Sequence, residues 1–186
     1  MGRRVPKRGK KSGAARSDSQ DGSMYKGLFV VGAVVVAVAG IMVVLAIMSQ
    51  QPGEAVESLG NEHIESVNAE HEPYNTNPPT SGPHTGDMAA WGVSTEPIPD
   101  ENQIHNLEDG GIVIQYGNGV EPGEVRALAT VAGDYERIVL APRPTLPEEQ
   151  IAVTAWGRIM RLDSVDEDKL RDFITTFEGQ DHHAVG

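Results

Sequence analysis

The 186-residue chain has no cysteine. That absence removes disulfides, thiolate nucleophiles, iron–sulfur ligation and every cysteine-type zinc site at once. A domain outside the cytoplasm without disulfides must be held by its packed core, so a conventional globule is expected rather than a stapled miniature. Internal repeats are absent too. Charge is missing over one long stretch: Gly27 to Met48 is 22 residues of almost unbroken Val, Ala, Leu, Ile, Met, Phe and Gly. A bilayer core of about 30 Å takes roughly 20 apolar residues in helix, so the stretch reads as one transmembrane helix.

The charges are divided across that helix. Residues 1–26 carry eight Lys and Arg against two Asp, while the whole chain has a formal net charge of −12. By the positive-inside rule the basic arm is cytoplasmic and the acidic remainder lies outside the cell membrane. A cleaved signal peptide is the rival, with Ala37-Val38-Ala39 as its small-residue site, but the apolar run continues to Met48. A twin-arginine export signal at Arg3-Arg4 is weaker, because further cations follow where apolar residues belong.

Residues 1–26, almost without apolar side chains, are expected to be a disordered arm that holds anionic membrane lipid rather than nucleic acid. Residues 49–72 read as a polar stalk, in which Val56, Leu59, Ile64 and Val67 suit a short amphipathic helix broken at Gly60-Asn61. The globular domain is expected over 73–178, with a frayed tail over 179–186 that carries His182 and His183. Gly86 to Asn106 offers turn residues and few periodic apolar positions.

Regular structure is expected after that. Gly110–Gly117 is β-branched and bounded by glycines, a strand. Glu121–Gly133 has Val125, Leu128, Ala129 and Ala132 at helical spacing. Arg137–Pro142 is a second strand, Ile151–Leu162 a third with a bulge or bend at Gly157, and Asp163–Phe177 a closing helix. The order β-α-β-β-α predicts an α+β fold: a small mixed sheet with helices packed on it, preceded by a long proline-rich loop. The first two strands should be parallel and the third antiparallel. Tyr74, Trp91, Tyr116 and Trp156 are expected as core aromatics.

The least ordinary stretch is YNTNPPTSGPH, Tyr74 to His84: three prolines, no charge, and an imidazole at the end. Pro78, Pro79 and Pro83 fix φ and limit the loop's freedom, so His84 is delivered in nearly one position. Together with WGV (Trp91 to Val93), HNLEDGGIVIQY (His105 to Tyr116) and AWGR (Ala155 to Arg158), this loop resembles a bacterial family known only as domain of unknown function 3105. The resemblance covers roughly residues 61–178. It implies a membrane-anchored or secreted protein and supplies no activity. Carried onto this chain, the family's histidine positions fall on His63, His84 and His105, and the fourth falls on Asp109.

Those histidines stand beside rigid turns, with Met88 and the carboxylates Glu108 and Asp109 near them in sequence. Neutral imidazole is the commonest transition-metal ligand. Without cysteine the expected ions are copper, zinc or nickel bound through nitrogen and oxygen, copper or zinc first among them, with Met88 available to favour copper(I). His63, His84, His105, Asp109 and Met88 are therefore the candidate metal ligands of a copper chaperone or sensor. The competing class is a non-catalytic partner of a membrane or envelope complex that uses the proline-rich loop as a docking surface, its histidines merely holding the loop. Hydrolysis is disfavoured. The family form of HNLED spells H-x-x-E-H, but Asp109 replaces the second histidine and Gly110-Gly111 argues against a helix there. Ser81, His84 and Asp109 lack any nucleophile-elbow sequence.

Overall fold

The computed structural model describes residues 2, 30, 33–43 and 51–183. The chain divides into two compact units, Met1–Gln50 and Gln51–Gly186. In the first, residues 33–43 form a helix, α1, exposed throughout. No helix among the described residues is long and apolar enough to cross a membrane. Apart from Val30, the rest of the expected span at 27–48 lies outside the described residues, as does all of the basic arm except Gly2.

The second unit is a mixed α+β domain around a six-stranded sheet. Its strands are β1 (Glu54–Ala55), β4 (Gly92–Val93), β5 (Ile112–Tyr116), β6 (Ile138–Pro142), β7 (Ile151–Ala155) and β8 (Arg158–Leu162), in the order β1-β8-β7-β5-β6-β4. Its helices are α2 (Asp100–Glu108), α3 (Pro122–Ala132) and α4 (Glu167–Phe177). β5 and β6 are parallel, joined through α3, and β7 returns antiparallel against β5. Alternation along each strand divides the side chains between two faces. Ile112, Ile114, Ile138, Leu140, Ile151 and Val153 pack with Leu128 and Val131 of α3 and Leu170, Phe173 and Ile174 of α4. Val113 and Val139 point the other way and meet Leu107 of α2. The main core thus lies under α3 and α4, and α2 covers the opposite face.

Five local expectations are corrected. The third strand is a hairpin, β7 and β8, paired from Ala155↔Arg158 to Ile151↔Leu162. Gly157 makes the turn rather than a bend, at φ 66, a left-handed conformation that glycine adopts without Cβ penalty. Turn-rich residues 86–106 contain most of α2, whose buried face is built from Gln103, Asn106 and Glu108 as well as Ile104 and Leu107. The stalk segment holds no helix among its described residues 51–72: β1 pairs with β8 at the sheet edge, and β2 (His63–Ile64) pairs parallel with β3 (His84–Thr85). Trp91 is 36% exposed rather than a core aromatic, and Tyr74 is half-buried with its hydroxyl donating to the Pro83 carbonyl at 2.7 Å. The tail does not fray over 179–183. The Gly179 amide donates to the Gly110 carbonyl at 2.7 Å, and the His182 amide to the Glu108 carbonyl at 2.8 Å.

Candidate metal centre

Three pieces of chain meet on the α2 side of the domain. The β2–β3 register places His63 directly beside His84, with ring centroids 4.5 Å apart. On α2, His105 and Glu108 are three residues apart and share a face. The His105 ring lies 5.6 Å from that of His63 and 5.4 Å from that of His84. One ligand atom from each of His63, His84, His105 and Glu108 falls within 4.8 Å of the others.

The proline-rich loop forms the inner wall of this site. Pro78 to Thr85 are buried, and the loop is tied down by the Leu59 amide on the Ser81 hydroxyl at 2.9 Å. The polar face of α2 holds the chain that follows. Asn106 accepts from the Ala89 amide at 2.9 Å and donates to the Ala89 carbonyl at 3.0 Å, while Asn102 donates to Thr85 Oγ1 at 3.0 Å. The amides that made α2 look like loop are the groups that position the site.

Hydrogen bonding fixes the imidazoles. A backbone carbonyl can only accept, so an imidazole nitrogen bonded to one carries the proton. His84 Nδ1 stands 2.8 Å from the Gly82 carbonyl, and His105 Nδ1 stands 2.7 Å from the Thr85 carbonyl. In the neutral rings this leaves both Nε2 atoms with lone pairs. Metal-binding histidines are held in the same way, by a partner on the nitrogen that does not bind metal.

Glu108 is the centre's negative charge. It is fully buried; Asn61 Nδ2 donates to its Oε1 at 2.8 Å, and its Oε2 faces His84 Nε2 at 2.9 Å. The same oxygen lies 3.8 Å from His63 Nε2 and 3.4 Å from His183 Nε2. Burial alone raises the Glu108 pKa, but the hydrogen bonds from Asn61 and His84 and the charges of His84 and His183 outweigh it and hold the carboxyl below its ordinary range. The site also sits at the C-terminal end of α2, where the helix dipole favours positive charge.

Of the five candidates read from sequence, the fold brings His63, His84 and His105 together. Asp109 caps α2 next to the cluster, with Oδ2 4.0 Å from His105 Nε2. The helix ends at Glu108, just ahead of Gly110-Gly111, and His105 lies in its last turn. Met88 is exposed on the loop between β3 and β4. Sequence reasoning named Glu108 only as Asp109's neighbour and set His183 aside with the tail. The i, i+3 spacing from His105 was the available signal for Glu108; nothing in the sequence pattern pointed to His183.

The profile of the family described as "Protein of unknown function (DUF3105)" matches residues 66–185. The chain belongs to this family. The matched residues contain His84, His105, Glu108 and Asp109, and they take in the C-terminal histidines that the expected limit at 178 left out. His63 lies just before them. No curated protein and no solved structure matches the chain.

Proposed function

We propose that this DUF3105 protein binds a divalent transition-metal ion, copper(II) or zinc, as a membrane-anchored carrier or sensor outside the cytoplasm. The observation that carries the reading is the pair of buried or nearly buried imidazoles, His84 and His105, each locked through Nδ1 to a backbone carbonyl, which leaves Nε2 as the nitrogen available to the Glu108 cluster. Three imidazoles and a carboxylate suit zinc, copper(II) or nickel better than copper(I), which prefers thiolate and thioether. The exposed position of Met88 agrees with that choice. Membrane attachment rests on the uncharged stretch from Gly27 to Met48 and the basic residues before it.

Docking through the proline-rich loop is the weaker reading, because Pro78 to Thr85 are buried and offer a partner little surface. Equilibrium dialysis of the full-length chain against zinc and copper(II), with His105→Ala beside it, tests the proposal. Micromolar or tighter binding that His105→Ala weakens at least tenfold is expected. A wild-type chain that retains neither ion overturns it.

A further inference from the structure

His183, like the two anchored histidines, has Nδ1 against an acceptor, here a side-chain carboxylate rather than a backbone carbonyl. Its Nδ1 lies 2.7 Å from Asp181 Oδ1, so a neutral ring carries its proton there and leaves Nε2 free. That Nε2 points at two carboxylates, 3.4 Å from Glu108 Oε2 and 3.6 Å from Asp109 Oδ1. Two donors on one tetrahedral ion, with bonds of about 2.0–2.1 Å, stand about 3.3 Å apart. Both spacings are within a few tenths of an ångström of that value.

The segment that carries His183 is attached to the domain. The His182 amide is bonded to the Glu108 carbonyl, and the His182 ring stacks on Trp156 with centroids 5.8 Å apart and planes 16° from parallel. Gly110 makes room for this path: a Cβ there would stand 2.8 Å from the backbone of Gln180. One donor atom from each of His105, Asp109 and His183 lies within 4.8 Å of the others, a second group beside the first. His105 has a single free nitrogen and can serve only one ion. Glu108, in contrast, faces both groups through Oε2.

We infer that the centre is dinuclear: His63, His84 and His105 hold one ion, His183 and Asp109 hold a second, and the Glu108 carboxylate bridges them. The inference rests on the metal-binding reading above and extends it. The second position has no fully buried imidazole such as His84, its His183 and Asp109 having side-chain exposures of 45% and 25%, so it binds more weakly and fills second.

Counting zinc bound to the full-length chain at micromolar free zinc tests this. Two equivalents are expected for wild type, and one for His183→Ala and for Asp109→Asn. Both side chains are partly exposed, so neither change opens a core cavity, and a thermal scan of the metal-free variants verifies that they remain folded. One equivalent in wild type, or two retained in His183→Ala, overturns the dinuclear centre and leaves the first site standing. A wild-type chain with no zinc removes both.

Discussion

Glu108→Gln changes a single atom in the middle of the cluster and separates two roles of the carboxylate. In the metal-free chain His84 is fully buried with an oxygen opposite each ring nitrogen: the Gly82 carbonyl at Nδ1 and Glu108 Oε2 at Nε2. Both contacts can be satisfied only if a proton is shared between Nε2 and the carboxylate. A hydrogen bond to a charged group contributes about 1.5–3 kcal/mol. Leaving one member of a buried pair charged and alone would cost roughly 3–5 kcal/mol. Glutamine avoids the larger cost, since its amide can donate to a neutral Nε2 while its oxygen still accepts from Asn61. The metal-free variant should therefore lose about 1–3 kcal/mol, read by chemical denaturation. Metal binding should suffer more, because losing even an outer partner of a ligand costs about 10- to 100-fold in affinity. We expect zinc affinity to fall at least about 100-fold, or 2.7 kcal/mol, in competition with a chromophoric chelator. An affinity within threefold of wild type would refute Glu108 as a ligand. An unchanged metal-free stability would refute the shared proton.

Because the folded-state pKa of Glu108 is lowered, its contribution is present above the ordinary glutamate range and is lost as pH falls through the folded value. Metal-free wild type should accordingly show an acid limb of declining stability below about pH 4.3, and Glu108→Gln should flatten it, as denaturant midpoints across pH will report. Gly110→Ala forces a Cβ at φ 77 against the Gln180 backbone, so residues 179–183 should lose amide-exchange protection and the domain about 1–2 kcal/mol; unchanged protection would refute the packing of the tail. Asn106→Ala leaves the buried Ala89 amide and carbonyl without partners and should lower stability by roughly 2–4 kcal/mol in denaturant titrations, with zinc affinity falling as the loop behind β3 loosens.

The sheet was legible where side-chain chemistry repeats along it. β5 and β6 are β-branched runs bounded by turn residues, and the helix between them announces itself by Val125, Leu128 and Ala132, so the parallel pairing followed from handedness alone. α2 was not legible because its inward face uses amides and a carboxylate where a periodicity count looks for hydrocarbon. The hairpin of β7 and β8 merged into one strand for a related reason: Ala155-Trp156-Gly157 interrupts the apolar run with only one turn-forming residue. In the candidate site, the rigid loop ahead of His84 was legible as stiffness, and the three histidines as motif positions. The tail and the β2 segment were not, since they dock largely through backbone hydrogen bonds, Gly179 on Gly110, His182 on Glu108 and the β2–β3 ladder, which leave no trace in residue type.

The two-residue pairing of β2 with β3 also bears on when a complete set of ligands can exist. So short a ladder is not expected to persist alone in water. His63 is held by β3, which packs on α2, and His183 by a tail that runs back past Gly110 after α4, so both positions depend on contacts distant in sequence. Apart from sequence neighbours such as His105 with Glu108 and His182 with His183, the proposed ligands come together only in the folded domain, so an ion is expected to bind after folding rather than to seed it. Bound metal should then act as a lock: it adds stability by mass action, and it leaves no faster than the tail and β2 open locally.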